Sequence, residues 1–147
     1  MDILVLTQRP IGAGQAKRLM TLRQELLAAE PENPYYRLFE DGMLSLRAFR
    51  EKTPDRVVYW GTSGQRITDA NRFDSFCLTL LKEKGRLCLG GDVRHLLPMP
   101  TYAELVADVA RHLESIRRAA GLTGRSLYFY GWLLDISRCL YTLARGG

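Results

Sequence analysis

The chain is poor in the residues that would let it depend on cross-links or metals. Its three cysteines, Cys77, Cys88 and Cys139, are odd in number and widely spaced. That excludes a disulfide framework, argues against a zinc site and fits a reducing cytoplasm. There are two histidines. His95 has no partner at metal-ligand spacing, and His112 lies among Leu105, Val109 and Ile116, where a half-buried core histidine is expected. No Cys/His pair and no nucleophile-elbow serine points to nucleophilic catalysis. No apolar run approaches the ~20 residues of a membrane span, and no basic segment precedes a signal-like apolar stretch. Internal repeats and low-complexity segments are absent too. The formal net charge is only +5, and the arginines are scattered. Such a balance does not demand nucleic acid; it suits a solvated basic surface or a pocket for anionic groups.

What is present is ordinary globular material: 147 residues, 46% hydrophobic and 25% charged. That length suits one domain or two small ones. Ile3–Leu6 reads as a strand buried on both faces. Gln15–Glu30 reads as a helix, with Leu19, Leu22, Leu26 and Leu27 at helical spacing and Pro31 and Pro34 beyond it. Short segments follow around an Asp41-Gly42 turn signal, then a β-branched and aromatic strand at Arg56–Trp60. Asn71–Lys84 is expected to be helical, with Phe73, Cys77, Leu80 and Leu81 on one face, and Arg86–Leu89 to be a short strand.

Pro98-Met99-Pro100 is the best candidate linker. It divides a mixed region, residues 1–97, from a helical one, residues 98–147. Thr101 and Glu104 have capping-box spacing. Leu105, Val109, His112 and Ile116 then fall on one helical face, and Gly121 is expected to end that helix. The expected fold class is α+β: a mixed sheet with flanking helices, then an all-helical part.

Few motifs carry chemistry. Gly12-Ala13-Gly14 stands between a strand and a helix, but Lys17 replaces the last small residue of a dinucleotide fingerprint, so a plain turn is expected. Gly61-Thr62-Ser63-Gly64 lacks P-loop spacing and reads as a tight turn, with an anion cradle as the alternative. The last helix is apolar almost all round and so expected to be buried. It also carries a stripe of Tyr128, Gly131, Asp135, Arg138, Thr142 and Arg145. Either Asp135 and Arg138 pair with each other, or Arg138 is aimed at a ligand anion. Asp2 and Glu40 each stand at the edge of an expected strand, and two such carboxylates have the hard oxygens a divalent metal needs.

Taken in order, several segments resemble aminoglycoside nucleotidyltransferases of the streptomycin/spectinomycin adenylyltransferase type. RSLYFYGWLLDISRCLYTLARGG resembles the family's C-terminal helix. VVYWGTSGQRI, FDSFCLTLLKEKGRLCLGGDVRHLLP and PTYAELVADVARHLESIRRAAG resemble the segments before it. MDILVLTQRPI resembles the strand that carries two metal-binding acids, with Asp2 on the second. YYRLFEDGMLSLRAF resembles the segment of the third acid, on Glu40.

The resemblance implies a nucleotidyltransferase-fold domain, incomplete in this chain, followed by the start of the family's helical bundle. It implies Mg²⁺ and ATP, and transfer of AMP to a hydroxyl of a cationic small molecule such as an antibiotic, in the cytoplasm. Glu40 would be the general base and, with Asp2, a metal ligand. Arg138 would meet the triphosphate, and Asp74 matches an acidic position near the nucleotide. The family's Gly-Ser motif and first metal acid would fall before Met1, and its closing lysine after Gly147. The sequence as it stands is therefore expected to be a truncated form and a poor catalyst, with a non-catalytic nucleotide- or partner-binding module as the alternative. No nucleic-acid or membrane partner is implied, and a homodimer through an open sheet edge is compatible.

Overall fold

The β-branched and aromatic run after Arg56 forms a strand, and the first half of the chain is built around it. The computed structural model describes residues 3–61, 64–69, 74–123 and 127–145, with the backbone alone described at 41, 119–123 and 127–129. The chain divides into two compact units, Met1–Arg72 and Phe73–Gly147. The fold is α+β: among the described residues, a four-stranded mixed sheet and six α-helices.

The first unit runs β1 (Val5–Thr7), α1 (Ala13–Ala29), α2 (Pro34–Arg37), β2 (Asp41–Ser45), α3 (Leu46–Glu51), β3 (Val57–Gly61) and β4 (Gly64–Thr68). The sheet order is β1-β2-β3-β4. β1 is parallel to β2, with Val5 opposite Met43, and the other pairings are antiparallel. Side chains alternate across the sheet, so Met43, Val58 and Trp60 share one face. Ile11 and Ala16 seal that face, with Val5, Leu19, Met20 and Phe39 around them. Phe39 meets Trp60 edge to face at 5.5 Å. On the opposite face Leu44 and Val57 are buried, as are Ala48 and Phe49 of α3. Each fully buried aliphatic side chain here contributes about 1.5–3 kcal/mol over its exposed state.

Three expectations change in this unit. β1 is half-buried, not enclosed on both faces, because it lies at an edge of the described sheet. β2 runs straight through Asp41-Gly42: pairing on both sides overrides the local turn preference. In α1 the inward residues are Ala16, Leu19, Met20 and Arg23, whereas Leu22 is 43% exposed. Arg23 is nevertheless buried. Its guanidinium donates to Gly61 O at 2.8 Å and Gly64 O at 2.9 Å, pinning α1 to the β3–β4 hairpin. Burial pushes that guanidinium below its usual pKa, with Tyr59 acting weakly the other way. Gly61 pairs with Gly64, so the tight-turn reading is met at its flanks, and Gly64 takes φ +108°, a conformation that favours glycine. The anion-cradle alternative rests on Thr62 and Ser63, outside the described residues.

The second unit contains, among its described residues, helices and their connections: α4 (Ser75–Lys84), a short 3₁₀ turn at Arg94–Leu96, α5 (Tyr102–Thr123) and α6 (Leu127–Arg145). Its core is Phe76, Leu105, Val109 and Cys139, with Cys77, Leu113 and Leu143 packed against it. The division between units falls ahead of Pro98–Pro100 because α4 packs on α5 and shares this core. Thr101 and Glu104 form the expected capping box, with Thr101 N–H donating to Glu104 Oε2 at 2.8 Å and Glu104 N–H to Thr101 Oγ1 at 3.3 Å. Val109 and Ile116 are buried and His112 is half-buried, as the spacing predicts.

α5 continues through Gly121 to Thr123. The expected strand at Arg86–Leu89 is irregular instead, and Leu89 is 93% exposed. No neighbouring strand meets it among the described residues. The connection is held by side chains: Lys82 donates to the Arg94 and Leu97 carbonyls, and Arg94 to Gly85 O. α4 begins at Ser75, with Asp74 as its cap, and buries Ser75, Phe76, Leu78 and Thr79, not Leu80. The largest reversal is α6. Tyr130, Leu133, Leu134, Leu140 and Tyr141 are exposed, and its inward face is carried by Cys139 with Asp135 beside it.

Candidate functional site

Glu40 stands immediately before β2, half-buried, and its carbonyl accepts from Ile3 N at 3.3 Å. The backbone thus runs β1 alongside the acid from Ile3 onward. Asp2, the residue before Ile3, lies outside the described residues. Asp41 pairs with Trp60, which brings Glu40 level with Gly61 on the neighbouring strand. Two residues earlier on β3, and so on the same face, is Tyr59. Its hydroxyl donates to Glu40 Oε1 at 2.6 Å. Short bonds to a charged acceptor are the stronger kind.

The phenol reaches Glu40 by lying back across Gly61. A Cβ on Gly61 would overlap the Tyr59 hydroxyl and two of its ring carbons. Glycine is therefore a steric requirement of this pair. Opposite Tyr59 on β4 is Arg66, whose Cζ stands 3.9 Å over the ring centroid. Cation, ring and carboxylate form a row across β4, β3 and the start of β2. One oxygen of Glu40 is engaged by Tyr59; the other has no partner among the described residues. A carboxylate so held can accept a proton, or bind a hard cation, along one fixed direction.

The other two expected site residues lie in the second unit. Asp74 is the N-cap of α4, and its Oδ1 accepts from Cys77 N at 2.8 Å. Arg138 pairs with Asp135 at 2.9 Å, and its Cζ sits 5.0 Å from the Phe76 ring centroid. Asp135 also approaches His112 Nε2 at 3.3 Å, out of line for a hydrogen bond. His112 packs edge to face on Phe76 at 5.9 Å. Within the polar stripe of α6, Asp135 and Arg138 thus meet α4 and α5, while Thr142 and Arg145 bond within α6. The Arg138 side chain keeps 41% of its surface exposed, so it can still reach an anion by exchanging Asp135 for it.

Two carboxylates here are strongly held. Asp108 Oδ2 accepts from Ser75 N at 2.6 Å and its Oδ1 pairs with Arg111 at 2.6 Å. Burial opposes its charge, but Ser75 and Arg111 outweigh it and hold the pKa below the usual carboxylate range. In the first unit Asp55 accepts from Ser45 N at 2.9 Å and Arg56 N at 2.8 Å. Burial again opposes the charge, and Ser45, Arg56 and Arg47 bring the net pKa down. Both acids fasten elements together. Burial pushes the Cys139 thiol up, which suits a core residue and not a nucleophile.

Sequence reasoning singled out Glu40, but not Tyr59, Gly61 or Arg66. A signal existed. Tyr59 and Gly61 are spaced by two on an evident strand, and an aromatic beside a strand glycine often covers it. Among the described residues no group of three His, Cys, Asp or Glu side chains comes together. No family model, no curated protein and no solved structure matches the chain.

Proposed function

We propose that this chain is a nucleotidyltransferase-like protein of the aminoglycoside adenylyltransferase type, transferring AMP from Mg-ATP to a hydroxyl of a cationic small molecule. The observation that carries the reading is Glu40. A half-buried carboxylate at a strand edge, locked on one side by Tyr59 and open on the other, suits a group that must receive a proton from a fixed direction. The sequence resemblance puts the general base at this same residue.

Glu40 accepts the proton of the acceptor hydroxyl through the oxygen that Tyr59 leaves free. Tyr59 sets the plane of the carboxylate, and Arg66 stacked on the phenol restrains the ring. That free oxygen is also the hard donor a magnesium ion requires, so the described residues fit one ligand of such a site, and Asp2 would be another. Bound magnesium supplies charge neutralisation at the phosphates. By the sequence resemblance alone, Arg138 would contact the triphosphate, exchanging Asp135 for it, and Asp74 would be an acid near the nucleotide.

A second reading is a non-catalytic nucleotide- or partner-binding module. It is favoured by the engagement of Asp74 in a helix cap and of Arg138 with Asp135. One experiment separates the two. The chain is incubated with labelled ATP, Mg²⁺ and streptomycin or spectinomycin, alongside Glu40→Gln. Slow transfer that Glu40→Gln abolishes supports the enzyme. Transfer undiminished by that substitution removes Glu40 as base. Calorimetric binding of Mg-ATP with no transfer supports the module, and no binding at all rejects both.

A further inference from the structure

A cleft of about 870 Å³ opens in the first unit between β1, the Thr7–Ile11 connection and α1. Its walls are Val5 and Met43 from the sheet, Ile11, and Leu19 and Leu22 from α1. Val5 and Met43 are paired across the ladder and belong to the Val58–Trp60 face. Glu40 and Tyr59 belong to the other face, so the cleft is separate from the candidate site and does not depend on the function proposed above. It opens because β1 is an edge strand among the described residues, leaving the near end of the core uncovered.

The polar side chains that line it are two neutral amides, Gln8 and Gln15, the Thr7 hydroxyl and two guanidiniums. Thr7 Oγ1 is spent on the Arg9 carbonyl at 2.7 Å and the Leu44 carbonyl at 3.2 Å. Gln15 Oε1 is spent on Gly12 N–H at 2.8 Å. Arg9 and Arg18 are different: both line the cleft, and neither guanidinium has a partner among the described residues. None of the lining residues is acidic. Two guanidiniums without partners among the described residues, lining a cleft with apolar walls, suit a ligand with one anionic end and a hydrocarbon body. Guanidinium suits a carboxylate, which it can grip with two parallel hydrogen bonds. The volume lies within the range of small-molecule pockets, and the mixture of apolar walls with few polar groups is typical of them. A bare polyanion would leave the apolar walls unused, and a cation would be repelled at the mouth.

We infer that this cleft binds an amphipathic monoanion, an aliphatic carboxylate with its chain against Leu19, Leu22 and Met43 and its head between Arg9 and Arg18. The test is titration of the chain with decanoate, decanol and decyltrimethylammonium, followed by calorimetry and by methyl NMR. Decanoate is expected to bind at least tenfold more tightly than decyltrimethylammonium and to shift the methyls of Leu19, Leu22 and Met43. The Arg9→Gln/Arg18→Gln double variant alters exposed side chains only. It should weaken decanoate at least tenfold and leave decanol unchanged. Leu22→Glu keeps both arginines but sets a carboxylate at the mouth, and should abolish decanoate binding. Equal affinity for all three amphiphiles, full decanoate affinity in the double variant, or no binding would overturn the inference. So would amide shifts along Val5–Thr7 without methyl shifts, which would place decanoate outside the apolar walls.

Discussion

Tyr59 occupies the space that a side chain at Gly61 would fill, and only because of this does its hydroxyl reach Glu40. The relationship is steric first and polar second. Gly61→Ala must swing the phenol away from Glu40, and overpacking of this kind costs about 1–3 kcal/mol. Tyr59→Phe keeps the ring and loses only the bond, which is worth about 1 kcal/mol at a half-exposed carboxylate. Urea unfolding of both variants should therefore give the larger loss for Gly61→Ala. In a Tyr59→Ala background the overlap is gone, and Gly61→Ala should cost close to nothing. An unchanged cost in that background would mean the phenol is not what glycine accommodates.

Arg23 makes a second test within the same unit. Its guanidinium serves the carbonyls of Gly61 and Gly64 from one helix position, 6% exposed. Replacing it with Leu leaves the buried Gly61 carbonyl and the more exposed Gly64 carbonyl without this donor, and a buried group so orphaned costs about 1–3 kcal/mol, an exposed one less. Lys at 23 keeps the charge and can donate to carbonyls, as Lys82 does to those of Arg94 and Leu97, but lacks the fixed fork of the guanidinium. Stability should fall in the order Arg, Lys, Leu, with Arg23→Leu losing about 2–4 kcal/mol in chemical denaturation. A neutral Arg23→Leu would show that water satisfies these carbonyls.

Arg23 also illustrates what could be read in advance. It is four residues from Leu19 and four from Leu27, so it lay inside the apolar stripe of α1, yet its charge suggested a surface. The β3 strand, the first helix (expected over Gln15–Glu30, observed over Ala13–Ala29), the Thr101 cap and the α+β class were legible because each rests on local pattern. What was not legible depends on partners distant in sequence. β2 passes through Asp41-Gly42 because β1 and β3 flank it. Arg86–Leu89 has strand-like residues but pairs with no strand among the described residues. α6 looked buried because apolar residues surround it, whereas only the side with Cys139 packs on α4 and α5, with Asp135 near His112, and Leu134 lies outside, 72% exposed. Glu40 was visible as an acid at a strand edge. Its lock was not, because Tyr59 reaches it from the adjacent strand.

Two of the depressed carboxylates, Asp55 and Asp108, fasten elements together and give the chain an acid limb; Asp92, held low by Arg94, is a third and is exposed. Asp55 and Asp108 have folded-state pKa values below their unfolded ones, so each contributes stability that is complete above the unfolded value. That value is about 3.9 for Asp. The contribution is lost as pH falls from there through the folded pKa. Urea midpoints should hold steady from pH 7 to about 5 on this account and decline below about 4. Asp108→Asn should be less stable at pH 7, since Arg111 loses its charged partner, and should lose less on acidification. Asp55→Asn should behave alike in the first unit. Acid limbs as steep as wild type in both variants would assign the decline to other groups.

The Asp135–Arg138 pair supplies the sharpest test of the nucleotide reading, because the two substitutions move binding in opposite directions. Arg138 is held by Asp135 at 2.9 Å but remains part exposed. If it meets the triphosphate, binding must first break that pair. Arg138→Gln removes the cation and should weaken Mg-ATP by about tenfold, the equivalent of about 1.4 kcal/mol. Asp135→Asn leaves Arg138 in place with a weaker competitor and should tighten Mg-ATP severalfold. A purely structural pair predicts otherwise: both variants would lose stability and neither would gain affinity. Calorimetry with Mg-ATP beside thermal unfolding reads the two together. Tighter binding in a less stable Asp135→Asn protein would be explained by release of the guanidinium, and equal or weaker binding would remove Arg138 from the site.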